Sequence, residues 1–315
     1  MRLPQSRLTR HRGGHGSRLF TLIAIALVAA LIGAGLFLVV RARSPILPIA
    51  ETTRSMDAIE LWRTGDYRRV VDVTSAHLQR YPLDETSLTL RGFSSFYLAL
   101  EAVDSEKKQD LLIKAVQDLR RVLLKPEPAM EAQIRYTLGK SYYHRGQFFF
   151  DLAVRELEKA RDLGMMQLDL LEYLALAHAS LGNTDTTIDY FRAALDLGDE
   201  DVHRLSLADV LIDESRYDDA DALLYTVLDS STDVILRQHG LLSLGESRRG
   251  QGRYEAALEA FQELLELNPS SAEARFQLGE TFLEQGENDR ARFEWREALR
   301  LNPNHIESFQ RLQEY

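Results

Sequence analysis

His11 and His15 stand four residues apart, the spacing that puts two imidazoles on one helical face, where they would hold a metal ion. They lie in an arginine-rich, glycine-interrupted tail that predicts no helix, so no metal site is expected there. The acidic stretch DESRYDDAD, residues 213 to 221, has the carboxylate density of a calcium loop. It lacks the loop glycine and the distal glutamate that such a loop needs. Its position predicts an inter-helix turn in which Tyr217 packs and the acids sit at the amino end of the following helix. The chain contains no glycine loop ending in Lys-Ser/Thr, no H-E-x-x-H and no G-x-S-x-G. His77, His144, His178, His203, His239 and His305 recur at no ligand spacing. With no cysteine, thiolate chemistry and disulfides are excluded. The expectation is a protein without catalytic residues, metal or cofactor.

The elements that carry these residues begin with an exception. Leu19 to Val40 is 22 residues without a charge, bracketed by Arg18 and Arg41. At about 1.5 Å per residue, such a helix spans roughly the 30 Å of a bilayer core. It is longer than the apolar region of a cleaved signal, so it reads as a signal anchor. Five arginines precede it, and only Arg41, Arg43 and Arg54 follow closely. The positive-inside rule therefore places residues 1–18 in the cytoplasm as a basic tail and the remainder on the far side of an inner membrane, in the periplasm. Residues 41–50, with Pro45 and Pro48, form a linker. The chain carries −10 overall. Because its first forty residues hold five basic and no acidic groups, the remainder carries about −15, which disfavours nucleic acid as a partner.

Beyond the linker the sequence repeats. Gly245 and Gly279, Ala257 and Ala291, Phe261 and Trp295, Leu267 and Leu301, and Pro269 and Pro303 are all 34 residues apart. Upstream, Leu138-Gly139, Leu174-Ala175 and Leu207-Ala208 continue the leucine-small pair. Gly65-Asp66-Tyr67 and Arg91-Gly92 mark two degenerate units before them. Two helices approach closely only where one presents a small residue, and a large residue such as Leu157, Phe261 or Trp295 fills the space between pairs. The period and the order L-G, A, aromatic, P resemble the tetratricopeptide repeat.

The resemblance implies an all-α fold, a right-handed α-solenoid of about seven helix-turn-helix units over residues 51–315. The units are expected near 51–84, 85–131, 132–167, 168–200, 201–237, 238–271 and 272–305, with a capping helix over 306–315. In that helix Ile306, Phe309, Leu312 and Tyr315 are expected to face inward. Such repeats bind partner segments on the groove formed by the first helix of each pair. Carried over, the groove-facing positions are Tyr136, Lys140, Tyr143 and His144, then Leu176, Leu205 and Asp209, then Leu242, Glu246 and Arg249, and finally Phe276, Glu280 and Leu283. No three successive units carry the lysine and asparagine set that clamps chaperone tails. The expected role is a membrane-anchored adaptor or scaffold for protein partners in envelope assembly or secretion. Its alternatives are a receptor or regulator facing the cytoplasm, or a structural homo-oligomer. The run Phe148-Phe149-Phe150 stands apart: Phe150 holds the usual turn aromatic, whereas Phe148 and Phe149 are a two-residue insertion. They either pack back on the fold or stand exposed as a contact.

Overall fold

The structure is a computed structural model that describes residues 57–198 and 200–315. It is all-α, and the described residues contain no strand. They divide into two compact units, the first ending at Asn183 and the second running Thr184–Tyr315. Among the described residues no helix is long and apolar enough to cross a membrane. The expected span Leu19–Val40, the basic tail and the linker lie outside the described residues.

In the first unit a helical stretch over 57–63 precedes α1 (Tyr67–Arg80), α2 (Glu85–Glu101), α3 (Ser105–Val122), α4 (Glu131–Arg145), α5 (Phe150–Asp162) and α6 (Leu168–Ser180). The second unit contains α7 (Thr184–Leu197), α8 (Asp201–Asp213), α9 (Tyr217–Ser230) and α10 (Val234–Gly250), followed by α11 (Tyr254–Leu267), α12 (Ala272–Glu284), α13 (Asn288–Leu301) and α14 (Ile306–Glu314). The 47 residues from Gly92 to Gly139 accommodate α2 and α3, which at 17 and 18 residues exceed the 13 or 14 of α11 to α13.

Side-chain caps start several helices. Asp84, Asp104 and Ser271 accept hydrogen bonds from the backbone N–H groups of Ser87, Lys107 and Ala274, satisfying donors that a helix start leaves open. Most turns between paired helices, though not that between α2 and α3, hold a left-handed residue, which glycine adopts without strain. Gly252 and Gly286 supply it at φ +72° and +82°. Ser215 takes the same place at φ 58° in the acidic stretch, which is the turn between α8 and α9.

Within a pair, the small residue of the first helix receives a large one from the second. A Cβ added at Gly139 would lie 2.6 Å from Leu157 Cγ, one at Gly245 2.3 Å from Phe261 Cε1, and one at Gly279 2.4 Å from Trp295 Nε1. These partners are fully buried. The second unit's best-defined cluster joins Ala257, Phe261, Leu278, Phe282, Ala291 and Trp295. Small residues thus set the helix spacing, and the rings that fill the spaces give the burial energy.

The capping helix departs from expectation. Ile306 and Phe309 are 63% and 55% exposed, while His305 and Ser308 face inward and Leu312 packs on the Trp295 cluster. An ion pair accompanies this rotation. Arg311 forks onto Glu280 with Nε–Oε1 at 2.9 Å and Nη2–Oε2 at 2.6 Å, and His305 caps α14 by accepting from the Ser308 N–H. With both contacts made, Ile306 and Phe309 face outward.

Candidate functional site

The first helices of the first unit that bear the expected groove positions are α4 and α6, and α2 lies beside α4. Helical spacing puts Tyr136, Lys140, Tyr143 and His144 on one face of α4, and the structure brings them together against residues of α6. Lys140 Nζ donates to Asp169 Oδ2 at 2.7 Å and to the Tyr136 hydroxyl at 3.1 Å, and Tyr136 donates to the same carboxylate. Around the ammonium stand the rings of Tyr173, Tyr136 and Phe96, at 4.6, 4.9 and 5.6 Å. Ring faces attract a cation, so Lys140 is held by both charge and π density. His144 Nε2 shares a 2.9 Å hydrogen bond with the Tyr173 hydroxyl, and Tyr143 meets both rings edge-on.

This packing decides ionisation. Burial, aided by the charges of Lys108 and Lys140, pushes His144 down to about 3, so the imidazole is neutral at physiological pH. Burial and the Glu172 charge push Tyr143 up to about 12. Tyr136 and Tyr173 rise through burial and the Asp169 charge, and Tyr97 through burial and its neighbours Tyr67 and Asp169. Every phenol here is therefore a protonated hydrogen-bonding group, and none is poised as a base. Leu176 is half-buried on α6.

In the second unit the expected positions lie on α8, α10 and α12, and polar bridges run from each first helix to the next. Asp209 takes hydrogen bonds from His239 at 2.9 Å and Ser243 at 2.7 Å. Gln277 donates to Glu246 at 2.9 Å, and Arg249 donates to Glu284 at 3.2 Å. Glu273 meets His305 at 3.4 Å, which raises the His305 pKa. Leu242, Phe276 and Leu283 are half-buried and pack against the Trp295 cluster from its edge.

Two expected groove residues are corrected. Leu205 is only 2% exposed, because it packs inside the unit rather than toward solvent. Glu280 is 7% exposed and held by Arg311, so it fastens the capping helix. Sequence reasoning missed Asp169, Tyr173, His239, Ser243 and Gln277, which complete the bridges. Their signal was the offset to the preceding first helix, from 29 residues for Lys140–Asp169 to 34 for Asp209–Ser243.

The phenylalanine run also divides. Gln147–Phe149 form one 3-10 turn, and Phe150 opens α5. Phe149 stacks on Tyr142 at 6.1 Å and lies under the Arg145 guanidinium at 3.8 Å, whereas Phe148 is 80% exposed. Among the described residues no group of three or more His, Asp or Glu side chains is placed to hold a metal ion.

The tetratricopeptide-repeat family profile matches residues 136–202 and 242–306. No curated protein sequence matches the chain. Solved structures are similar in fold. The C-terminal part of a TPR repeat-containing protein from Cytophaga hutchinsonii is 18% identical with a TM-score of 0.60, covering 82% of this chain and 99% of that one. A chain of the APC/C hetero-tetramer Cut9–Hcn1 is 15% identical with a TM-score of 0.53, covering 93% of this chain and 52% of that one. MamA from Desulfovibrio magneticus RS-1 is 19% identical with a TM-score of 0.49, covering 56% of this chain and 97% of that one. At these identities the likeness concerns the fold alone. The chain carries tetratricopeptide repeats, matched by the family profile over residues 136–202 and 242–306.

Proposed function

We propose that the chain is a membrane-anchored adaptor that binds protein partners through the first-helix faces of its repeats, in envelope protein assembly or secretion. One observation carries the reading. Half-buried aromatic and apolar side chains, Tyr136 and Tyr143 in the first unit and Leu242, Phe276 and Leu283 in the second, stand on first helices held by polar bridges. Pre-ordered apolar anchors reduce the entropy lost when a partner segment docks. The Tyr136 hydroxyl is engaged by Asp169 and Lys140, whereas that of Tyr143 can orient a peptide. The uncharged stretch Leu19–Val40 supports anchoring, which raises the local concentration of partners at the membrane. The arginine excess before it supports a cytoplasmic amino terminus with the repeats in the periplasm.

Purifying the full chain from native membranes and identifying co-purifying proteins by mass spectrometry tests the binding role. The reading expects proteins that Tyr143→Ala combined with Leu242→Ala releases. Recovery of the chain alone would replace the adaptor with a homo-oligomer. Reporters fused after Tyr315 test topology, and activity of a cytoplasm-only reporter would reverse it.

A further inference from the structure

The rings on the first-helix face of the first unit form one continuous row. Tyr97 of α2 lies 5.5 Å from Phe96, and Phe96 lies 6.2 Å from His144 of α4. His144 lies 5.6 Å from Tyr173 of α6, which Tyr143 meets edge-on at 5.2 Å. Tyr97, Tyr143, His144 and Tyr173 are half-buried, so the row borders solvent. Charge does not select its partner. Lys140 is engaged by Asp169 at 2.7 Å, and residues 41–183 hold 20 basic and 20 acidic residues, whereas residues 184–315 hold 13 and 28. Rings and hydrogen bonds are what this face of the first unit has to offer.

Three donors stand open along the row. The Tyr97 and Tyr143 hydroxyls bond to no group among the described residues, and both phenols stay protonated. His144 and Tyr173 share a single hydrogen bond at 2.9 Å. A neutral imidazole and a phenol carry two such hydrogens between them, so whichever group donates, the pair keeps one donor free. Acceptors are already committed. The backbone carbonyls of α2, α4 and α6 are taken up along their helices. Of the carboxylates on α6, that of Asp169 holds Lys140 and Tyr136, and that of Glu172 is also engaged.

We propose that this row binds an extended, proline-rich segment of a partner protein. The occupant follows from what the face lacks. An ordinary extended segment brings an N–H for each carbonyl and would bury those N–H groups against rings, at a cost in free energy. Proline has no N–H to bury. Its polyproline II backbone makes no internal hydrogen bonds, so its carbonyls are available to the open hydroxyls. Its rings pack on aromatic side chains, and its stiffness lowers the entropy lost on docking. The proposal rests on the first-helix faces being the partner-binding surface.

Fluorescence anisotropy of a labelled decaproline peptide, titrated with the full-length chain in mild detergent, tests it beside a glycine-serine peptide of equal length. Saturable binding of decaproline alone is expected. Tyr97→Phe and Tyr143→Phe keep each ring and remove one open hydroxyl. Each should weaken binding by about fivefold, the size of one net hydrogen bond. Lys159→Gln, at an exposed position of α5, should leave it unchanged. Equal binding of both peptides, binding of neither, or full affinity in both phenylalanine variants overturns the proposal. So does stronger competition by a cello-oligosaccharide than by unlabelled decaproline, which would assign the row to a glycan. Failure of the adaptor reading is distinguishable. It shows as no co-purifying protein, whereas co-purifying proteins with no decaproline binding reject the proline-rich segment alone.

Discussion

Replacing Gly245 with alanine sets two effects of known size against each other. In a helix interior alanine is favoured over glycine by about 1 kcal/mol, so on propensity alone the change stabilises. The added Cβ, however, would lie 2.3, 2.5 and 2.7 Å from three atoms of the Phe261 ring. Carbon atoms in contact prefer about 3.5–4.0 Å, so the ring must withdraw by more than about 1 Å. Phe261 is fully buried in the cluster it shares with Ala257, Leu278 and Trp295. Overpacking of this kind costs about 1–3 kcal/mol, and an overlap on three ring atoms belongs in the upper half of that range. The net expectation is destabilisation of the second unit by about 1–2 kcal/mol. Urea unfolding of the full chain, followed by Trp295 emission in a Trp62→Phe background, reports on that unit alone, because the chain has only two tryptophans. Adding Phe261→Leu should recover about 1 kcal/mol relative to the sum of the single changes. A Gly245→Ala midpoint above wild type, or strict additivity of the pair, refutes the reasoning.

Further outcomes follow from single positions. Ser215→Gly removes the strain of φ 58° and should raise the second unit's stability by about 1 kcal/mol, read from the same urea midpoint. Phe148→Ser should leave stability within about 0.5 kcal/mol, whereas Phe149→Ser loses the Tyr142 stack and the Arg145 contact and should cost about 1–2 kcal/mol. Circular dichroism melts distinguish the two. His144 and His305 should give opposite pH dependences. The His144 pKa is depressed in the fold to about 3, so the unfolded chain takes its proton first. Stability of the first unit should fall as pH drops below about 6.5, by up to about 1.4 kcal/mol per unit, and His144→Phe should flatten that slope. The His305 pKa is raised by its Glu273 hydrogen bond, so its contribution is present below about pH 6.5 and is lost as pH rises through the folded value. His305→Gln should remove that loss in the second unit.

The repeat was legible in the sequence because one physical requirement recurs at a fixed period. Each close helix pair needs a small residue opposite a large one, which is why Gly245 and Phe261 return as Gly279 and Trp295. The face of the first helices was legible only in part. Helical spacing alone placed Tyr136, Lys140, Tyr143 and His144 side by side, since they share one helix. Which residues they touch on the next helix depends on helix rotation and side-chain reach, and spacing within one helix carries neither. Lys140 meets Asp169 29 residues on, while Asp209 meets Ser243 34 residues on. The capping helix failed for the same reason. Its period-three apolar stripe pointed Ile306 and Phe309 inward, but the structure turns His305, Ser308 and Leu312 to the stack, with the Arg311–Glu280 fork beside them. In the phenylalanine run, composition could not separate Phe149, which has a ring and a guanidinium to pack against, from Phe148, which has neither.

The central claim is that partners dock on the first-helix faces, and site-specific photocrosslinking in native membranes tests it most directly. A photoreactive phenylalanine analogue replaces Tyr143 or Leu242 on those faces, and in parallel Lys159 or Glu259, both exposed on second helices. The account predicts crosslinks to the same distinct proteins from positions 143 and 242 and none of these from 159 and 259. Equal crosslinking from both sets, or crosslinks to the chain itself alone, would contradict it.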